Sequence, residues 1–194
     1  MKSFFIMLLL LCVTFAGTYR IDLEKGYNLV SIPYPSVYLV ENNNCIVNRI
    51  WVYYGGKYIT SNFSTDIGNP LGINYNSFFV YAKEQCSIEL GTDMNVSQLL
   101  SKDNLYDIWQ RDGGGLNFKK GWNFLAGFYA SPNVKDISGD CTITSGPYRY
   151  DAVKREWSRE DTLKPGMGYI VKVSNDCKFG KTELTLPTIP QFPN

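Results

Sequence analysis

The chain contains no histidine. That removes Ser-His-Asp and Cys-His nucleophile arrangements and every imidazole metal ligand. It also lacks a charge excess, with 19 Lys and Arg against 18 Asp and Glu. A near-neutral chain carries no electrostatic footprint for nucleic acid or an anionic membrane surface. Close C-x2-4-C pairs, the usual framework of a zinc site, are missing too. So is an apolar run of the ~20 residues needed to span a bilayer. The longest apolar stretch, Phe4 to Phe15, covers about 12 residues.

That short run follows Lys2, and small residues stand at Thr14 and Ala16. A charged start, an apolar middle and small residues three and one before a cut predict a secretory signal peptide over 1–16. Cys12 and Lys2 would leave with it, and the mature chain would be formally neutral. No later stretch is long enough to cross a membrane, so the expected product is secreted or cell-surface associated.

Four of the five cysteines then remain: Cys45, Cys86, Cys141 and Cys177. An even count behind an export signal points to disulfides, with three connectivities open on count alone. Two sequons, Asn62-Phe63-Ser64 and Asn95-Val96-Ser97, are candidate glycosylation sites at Asn62 and Asn95.

An internal repeat chooses among the connectivities. "GYNLVSIPY" at Gly26 is written again as "GWNFLAGFY" at Gly121. Cys45 and Cys141 follow at matched distances, then "WVY" at Trp51 and "YRY" at Tyr148. Lys57-Tyr58 matches Glu156-Trp157, and the last strands end at Cys86 and Cys177. Two copies of one module predict one staple each, Cys45–Cys86 and Cys141–Cys177. Closing loops of this length stabilises each module by about 4 kcal/mol in the chain-entropy model.

The local patterns are those of strands. "IWVYYGGKYIT" reads as a hairpin about Gly55-Gly56. Pro165 and Gly166 suit positions i+1 and i+2 of a type II turn. The expectation is an all-β chain: two tandem small antiparallel sandwich or barrel modules of about five strands, each with one disulfide. The modules would cover 17–91 and 116–194, the second ending in a proline-rich extended tail. The linker, 92–115, would hold a short helix around Leu99 and Leu100 and a flexible stretch at Asp112 to Gly115.

The order Gly-Trp-Asn, an aromatic pair about one residue, a tryptophan, then Pro-Gly-x-Gly-Tyr-x-Val resembles a repeat module of exported and cell-surface, S-layer-associated proteins of archaea and bacteria. It is carried by Gly121 to Phe124, Tyr148 to Tyr150, Trp157 and Pro165 to Val171. The first copy carries Gly26 to Leu29, Trp51 to Tyr53 and Phe79-Val80, and departs at Tyr75 to Phe78, where the Pro-Gly-x-Gly turn is lost. The resemblance implies an extracellular β-rich repeat and supplies no catalytic residue.

Carboxylate pairs are the remaining route to catalysis. The repeat does not keep them: Asp22 faces Asn117, and Glu24 faces Lys119. Asp103, Asp107 and Asp112 lack the spacing of a calcium loop. No catalytic residue, metal ligand or cofactor is expected.

The matched aromatics Trp51, Tyr53, Tyr58, Trp122, Tyr148, Tyr150 and Trp157 are expected to fill two small cores. Strand alternation would then turn Arg149 and Asp151 outward in the second module, and Val52 and Tyr54 in the first. Val52 and Tyr54, with Tyr58 and Tyr81 nearby, form the candidate interface. It would meet the other module, a neighbouring copy or a glycan. These readings converge on a non-catalytic exported envelope protein, structural or adhesive. Its partners would be other envelope proteins or copies of itself. The alternatives are a pair of carbohydrate-binding modules and a small secreted hydrolase using two carboxylates.

Overall fold

The computed structural model describes residues 17–32, 37–39, 44–54, 56–63, 77–92, 116–127 and 131–180. Residues 1–16, Asn95, the helix expected near Leu99, the acids at 103, 107 and 112, and the tail 181–194 lie outside them. Among the described residues no helix is long and apolar enough to cross a membrane.

The fold is all-β. The first half holds β1 (Gly17–Leu23), β2 (Gly26–Ser31), β3 (Val37–Leu39), β4 (Ile46–Tyr54), β5 (Lys57–Ser61), β6 (Ser77–Ala82) and β7 (Cys86–Thr92). The second holds β8 (Leu116–Phe118), β9 (Gly121–Ala126), a 3-10 turn (Val134–Ile137), β10 (Ile143–Asp151), β11 (Glu156–Arg159), β12 (Gly168–Val173) and β13 (Cys177–Phe179).

The halves share one topology. Each has a four-stranded antiparallel sheet, β2-β6-β4-β5 in the first and β9-β12-β10-β11 in the second. Each adds a smaller sheet that pairs its first and last strands, β1-β7 with β3 added beside β7 in the first half and β8-β13 in the second. The halves thus hold seven and six strands where about five per module were expected. The 3-10 turn stands in the second half where the first has β3.

Both disulfides form as the repeat predicts. Cys45 bonds Cys86, and Cys141 bonds Cys177, with Cα atoms 6.4 and 5.1 Å apart. Disulfides of this kind persist in an oxidising compartment. The Gly55-Gly56 hairpin also forms, with Tyr54 paired to Lys57 across a two-residue loop and Gly56 at φ +84°.

Each core lies between a four-stranded sheet and its smaller partner. In the first, Phe78, Val80 and Ala82 of β6 meet Ile21, Leu23, Ile88 and Leu90 of β1 and β7. In the second, Tyr169, Val171 and Val173 of β12 meet Phe118, Leu163 and Phe179. Side chains on a strand alternate between faces. The other parity, Ser77, Phe79 and Tyr81 on β6 and Gly168, Ile170 and Lys172 on β12, therefore faces away from its core.

This alternation overturns the expected placement of the matched aromatics. None of Trp51, Tyr53, Tyr58, Trp122, Tyr148, Tyr150 or Trp157 belongs to a core. They lie on the opposite faces of the two large sheets. The cores are filled by aliphatic side chains together with rings that the repeat reading did not single out, among them Phe78, Phe118, Tyr169 and Phe179. The matched rings take the other face, where a hydroxyl or indole N–H reaches water or a partner. Val52 accordingly packs against the first core and is not an outward residue. Arg149 is not on a solvated charged face: it is 31 % exposed, and its Nε ion-pairs with Glu160 Oε2 at 3.3 Å.

Candidate functional site

The repeated Gly-aromatic-Asn motif builds a corner in each half. Gly26 and Gly121 adopt φ of +107° and +106°, a region that favours glycine. Two residues on, an asparagine closes the corner from inside. Asn28 Nδ2 donates to the carbonyls of Glu24 and Gly26 at 2.7 and 3.0 Å, and its Oδ1 accepts from the Glu24 amide at 3.0 Å. Asn123 makes the same three bonds with Lys119 and Gly121. The aromatic residue between, Tyr27 or Trp122, is thereby turned away from its own core.

These aromatic faces pack against each other in the middle. Phe79 sits near Phe124, Tyr150 and Trp157 of the second half, at centroid distances of 5.8, 6.0 and 6.5 Å. Phe124 in turn meets Tyr53 at 5.6 Å and Tyr58 at 6.1 Å. Tyr58 lies at the edge of the seam, 59 % exposed; partial desolvation there, with Tyr53 beside it, pushes its hydroxyl pKa above the usual value.

Hydrogen bonds secure one end of the seam. The Ser31 amide donates to the Gly166 carbonyl at 3.1 Å, and Ser31 Oγ donates to the Met167 carbonyl at 2.8 Å. The Gly127 amide donates to Ser31 Oγ at 3.0 Å. Ser77 Oγ donates to the Tyr169 carbonyl at 3.1 Å, and the Tyr19 hydroxyl donates to the Pro165 carbonyl at 2.8 Å. The turn Pro165 to Gly168 is thus the dock for the first module. Its glycines allow the approach: a Cβ on Gly168 would lie 2.6 Å from Leu29 Cγ and from Ser77 Cβ.

Towards the rim the rings open to solvent in two repeat-matched clusters. In the first, Tyr27 is 51 % exposed. It makes edge contacts with Tyr81 at 5.1 Å, Trp51 at 5.5 Å and Phe79 at 6.3 Å. In the second, Trp122 is 40 % exposed and lies 6.1 Å from Tyr148. Lys172 Nζ stands 5.9 Å from the centre of the Trp122 ring, a cation–π contact.

The candidate interface residues part company here. Tyr58 joins the seam, Tyr81 joins the Tyr27 cluster, and Val52 joins the core. The side chain of Tyr54 lies outside the described residues. Sequence reasoning missed Phe79, Phe124 and Ser31. For Ser31 a signal existed, because only the second copy keeps the Pro-Gly-x-Gly turn that receives it.

The acid beside the second disulfide has a structural partner. Asp140, Cys141 and Cys177 come within 4.8 Å of one another. Both sulfurs are in the disulfide, so neither is a thiolate ligand. Asp140 Oδ1 instead accepts from the Lys178 amide at 2.6 Å. A half-open depression beside Ser138, Ser145 and Arg159 holds about 220 Å³, below the usual range for small-molecule pockets. Comparison with models of protein families, with curated proteins and with solved structures found no match.

Proposed function

We propose that this chain is an exported, non-catalytic protein of the cell envelope, acting structurally or adhesively through its surface. The observation that carries this reading is the seam. Two disulfide-closed sheets of one topology are joined face to face by Phe79, Phe124 and the Ser31 hydrogen bonds. Among the described residues the joined faces turn two aromatic clusters to the rim. Rings held in place by neighbours give contact area at little entropic cost, which suits recognition.

Light scattering of the mature protein tests the reading, with concentration-dependent assembly, or co-assembly with envelope material, as the expected result. Turnover of envelope polysaccharide that disappears on replacing one carboxylate would overturn it in favour of a hydrolase. The matched exposed rings Tyr27 and Trp122 favour a second reading, carbohydrate binding. A glycan array would support that reading if a hit were lost in both Tyr27→Ala and Trp122→Ala.

A further inference from the structure

The two rim clusters are matched by position but differ in availability. Lys172 stands over the Trp122 ring. Around Tyr27, by contrast, the ring neighbours Tyr81, Trp51 and Phe79 meet it at 79°, 72° and 85°. These are edge-to-face contacts that hold the ring in place, and Tyr27 stays 51 % exposed among them. The position of Lys172 in the second module is taken by Tyr81 in the first, so the Tyr27 cluster is an uncharged group of rings.

The chain carries a segment suited to such a surface. Residues 181–194 read "KTELTLPTIPQFPN", and no charged residue follows Glu183. Pro187, Pro190 and Pro193 recur every third residue. Three residues make one turn of a polyproline II helix, so in that conformation this spacing would line the prolines along one edge. Proline-rich segments in that conformation dock on aromatic-lined grooves. They cost little entropy because the helix is preformed, and their backbone carbonyls stay open to hydrogen-bond donors. The Tyr27 cluster offers that combination: ring edges and faces for the prolines, and two tyrosine hydroxyls and an indole N–H as donors. At ~3.1 Å per residue the segment beyond Gly180 spans up to about 40 Å.

We infer that the Pro187–Pro193 segment of this chain is the ligand of the Tyr27–Trp51–Tyr81 cluster. The inference goes beyond the envelope reading and holds whether or not the chain assembles or binds a sugar. Tail docking supplies a built-in occupant that any external ligand of the cluster must displace.

Photo-crosslinking of the full chain tests it, with benzoylphenylalanine in place of Phe192. The expected product joins the tail to a peptide holding Tyr27, Trp51 or Tyr81. Its yield should fall at least fivefold when Pro187→Ala and Pro190→Ala are combined, since these remove the polyproline bias and leave both cores untouched. A link within one chain and a link between two copies both support the pairing. Crosslinks scattered over the surface, centred on Trp122, or indifferent to the proline substitutions overturn it. So does a glycan that protects Tyr27 from chemical modification to the same degree in the wild type and in the proline variant.

Discussion

Ser31 Oγ lies 2.8 Å from the carbonyl oxygen of Met167, across 136 residues of chain. The same oxygen accepts from the Gly127 amide, and Ser31 is fully buried. Ser31→Ala removes both side-chain bonds, but the Gly127 amide still donates to the Met167 carbonyl at 2.8 Å and the Ser31 amide to the Gly166 carbonyl. The loss is therefore that of hydrogen bonds whose partners stay paired, about 0.5–1.5 kcal/mol. The expected result is a destabilisation of that size in urea, with the m-value unchanged if the modules still unfold together.

Gly168 tests the seam from the opposite side by sterics. A Cβ there meets Leu29 Cγ and Ser77 Cβ at 2.6 Å, closer than side chains come. Overpacking a fitted contact costs about 1–3 kcal/mol. Gly168→Val should therefore loosen the join between the modules while leaving each disulfide-closed core in place. Calorimetry should resolve two transitions where the wild type gives one. A single transition of unchanged midpoint would mean that the seam contributes nothing to cooperativity.

The asparagines of the repeated motif should differ in weight. Asn28 and Asn123 make the same three bonds, but Asn28 is 6 % exposed and Asn123 is half-buried. Buried hydrogen-bonding groups are the more expensive ones to leave unpaired. Asn28→Ala should cost about 2 kcal/mol and Asn123→Ala about 1. Denaturation midpoints of the two variants and of the double variant would check the order.

These tests also mark what was readable in the residues. Cysteine pairing followed from duplication, and the Gly56 and Gly166 turns from local conformation, because a positive φ is a demand on one residue. Direction across a sheet was not readable. On β4, Ile50 and Val52 form one apolar parity and Trp51 and Tyr53 another. A period of two says that these sets face opposite ways without saying which faces the core. The answer depends on what each face packs against, and that is set by the other module. Phe79 and Phe124 carried no local signal for the same reason. The lost Pro-Gly-x-Gly turn of the first copy was a readable asymmetry, whose meaning needed Ser31 in place beside Gly166.

The corner between β8 and β9 should respond to acid. Asp176 Oδ2 accepts from Lys119 Nζ at 2.8 Å, and Oδ1 accepts from the Lys120 amide at 2.8 Å. These bonds, the Lys119 one first, hold the Asp176 pKa below its usual value of 3.8. A folded pKa below the unfolded one means that the carboxylate stabilises the fold above the unfolded pKa. That contribution disappears as pH falls through the folded pKa. Asp176→Asn should thus lower stability at neutral pH, with the gap from wild type closing at pH values below the usual carboxylate range. Both groups are exposed, so salt should narrow the gap as well.

At the alkaline end the sign reverses. Tyr169 is buried in the second core, and burial pushes its pKa up to about 12 from 10.0, against the opposing effect of the Lys164 amide that donates to its oxygen at 2.9 Å. A raised folded pKa gives stability that is complete below the unfolded value and lost as pH climbs through the folded one. Unfolding midpoints should therefore fall between about pH 10 and pH 12, where the unfolded chain releases a proton that the folded chain retains. Tyr169→Phe removes that proton and should flatten this part of the profile. It should also lower stability at neutral pH, because the Lys164 amide loses its acceptor. An equally steep alkaline fall in the Phe variant would assign the effect to other tyrosines.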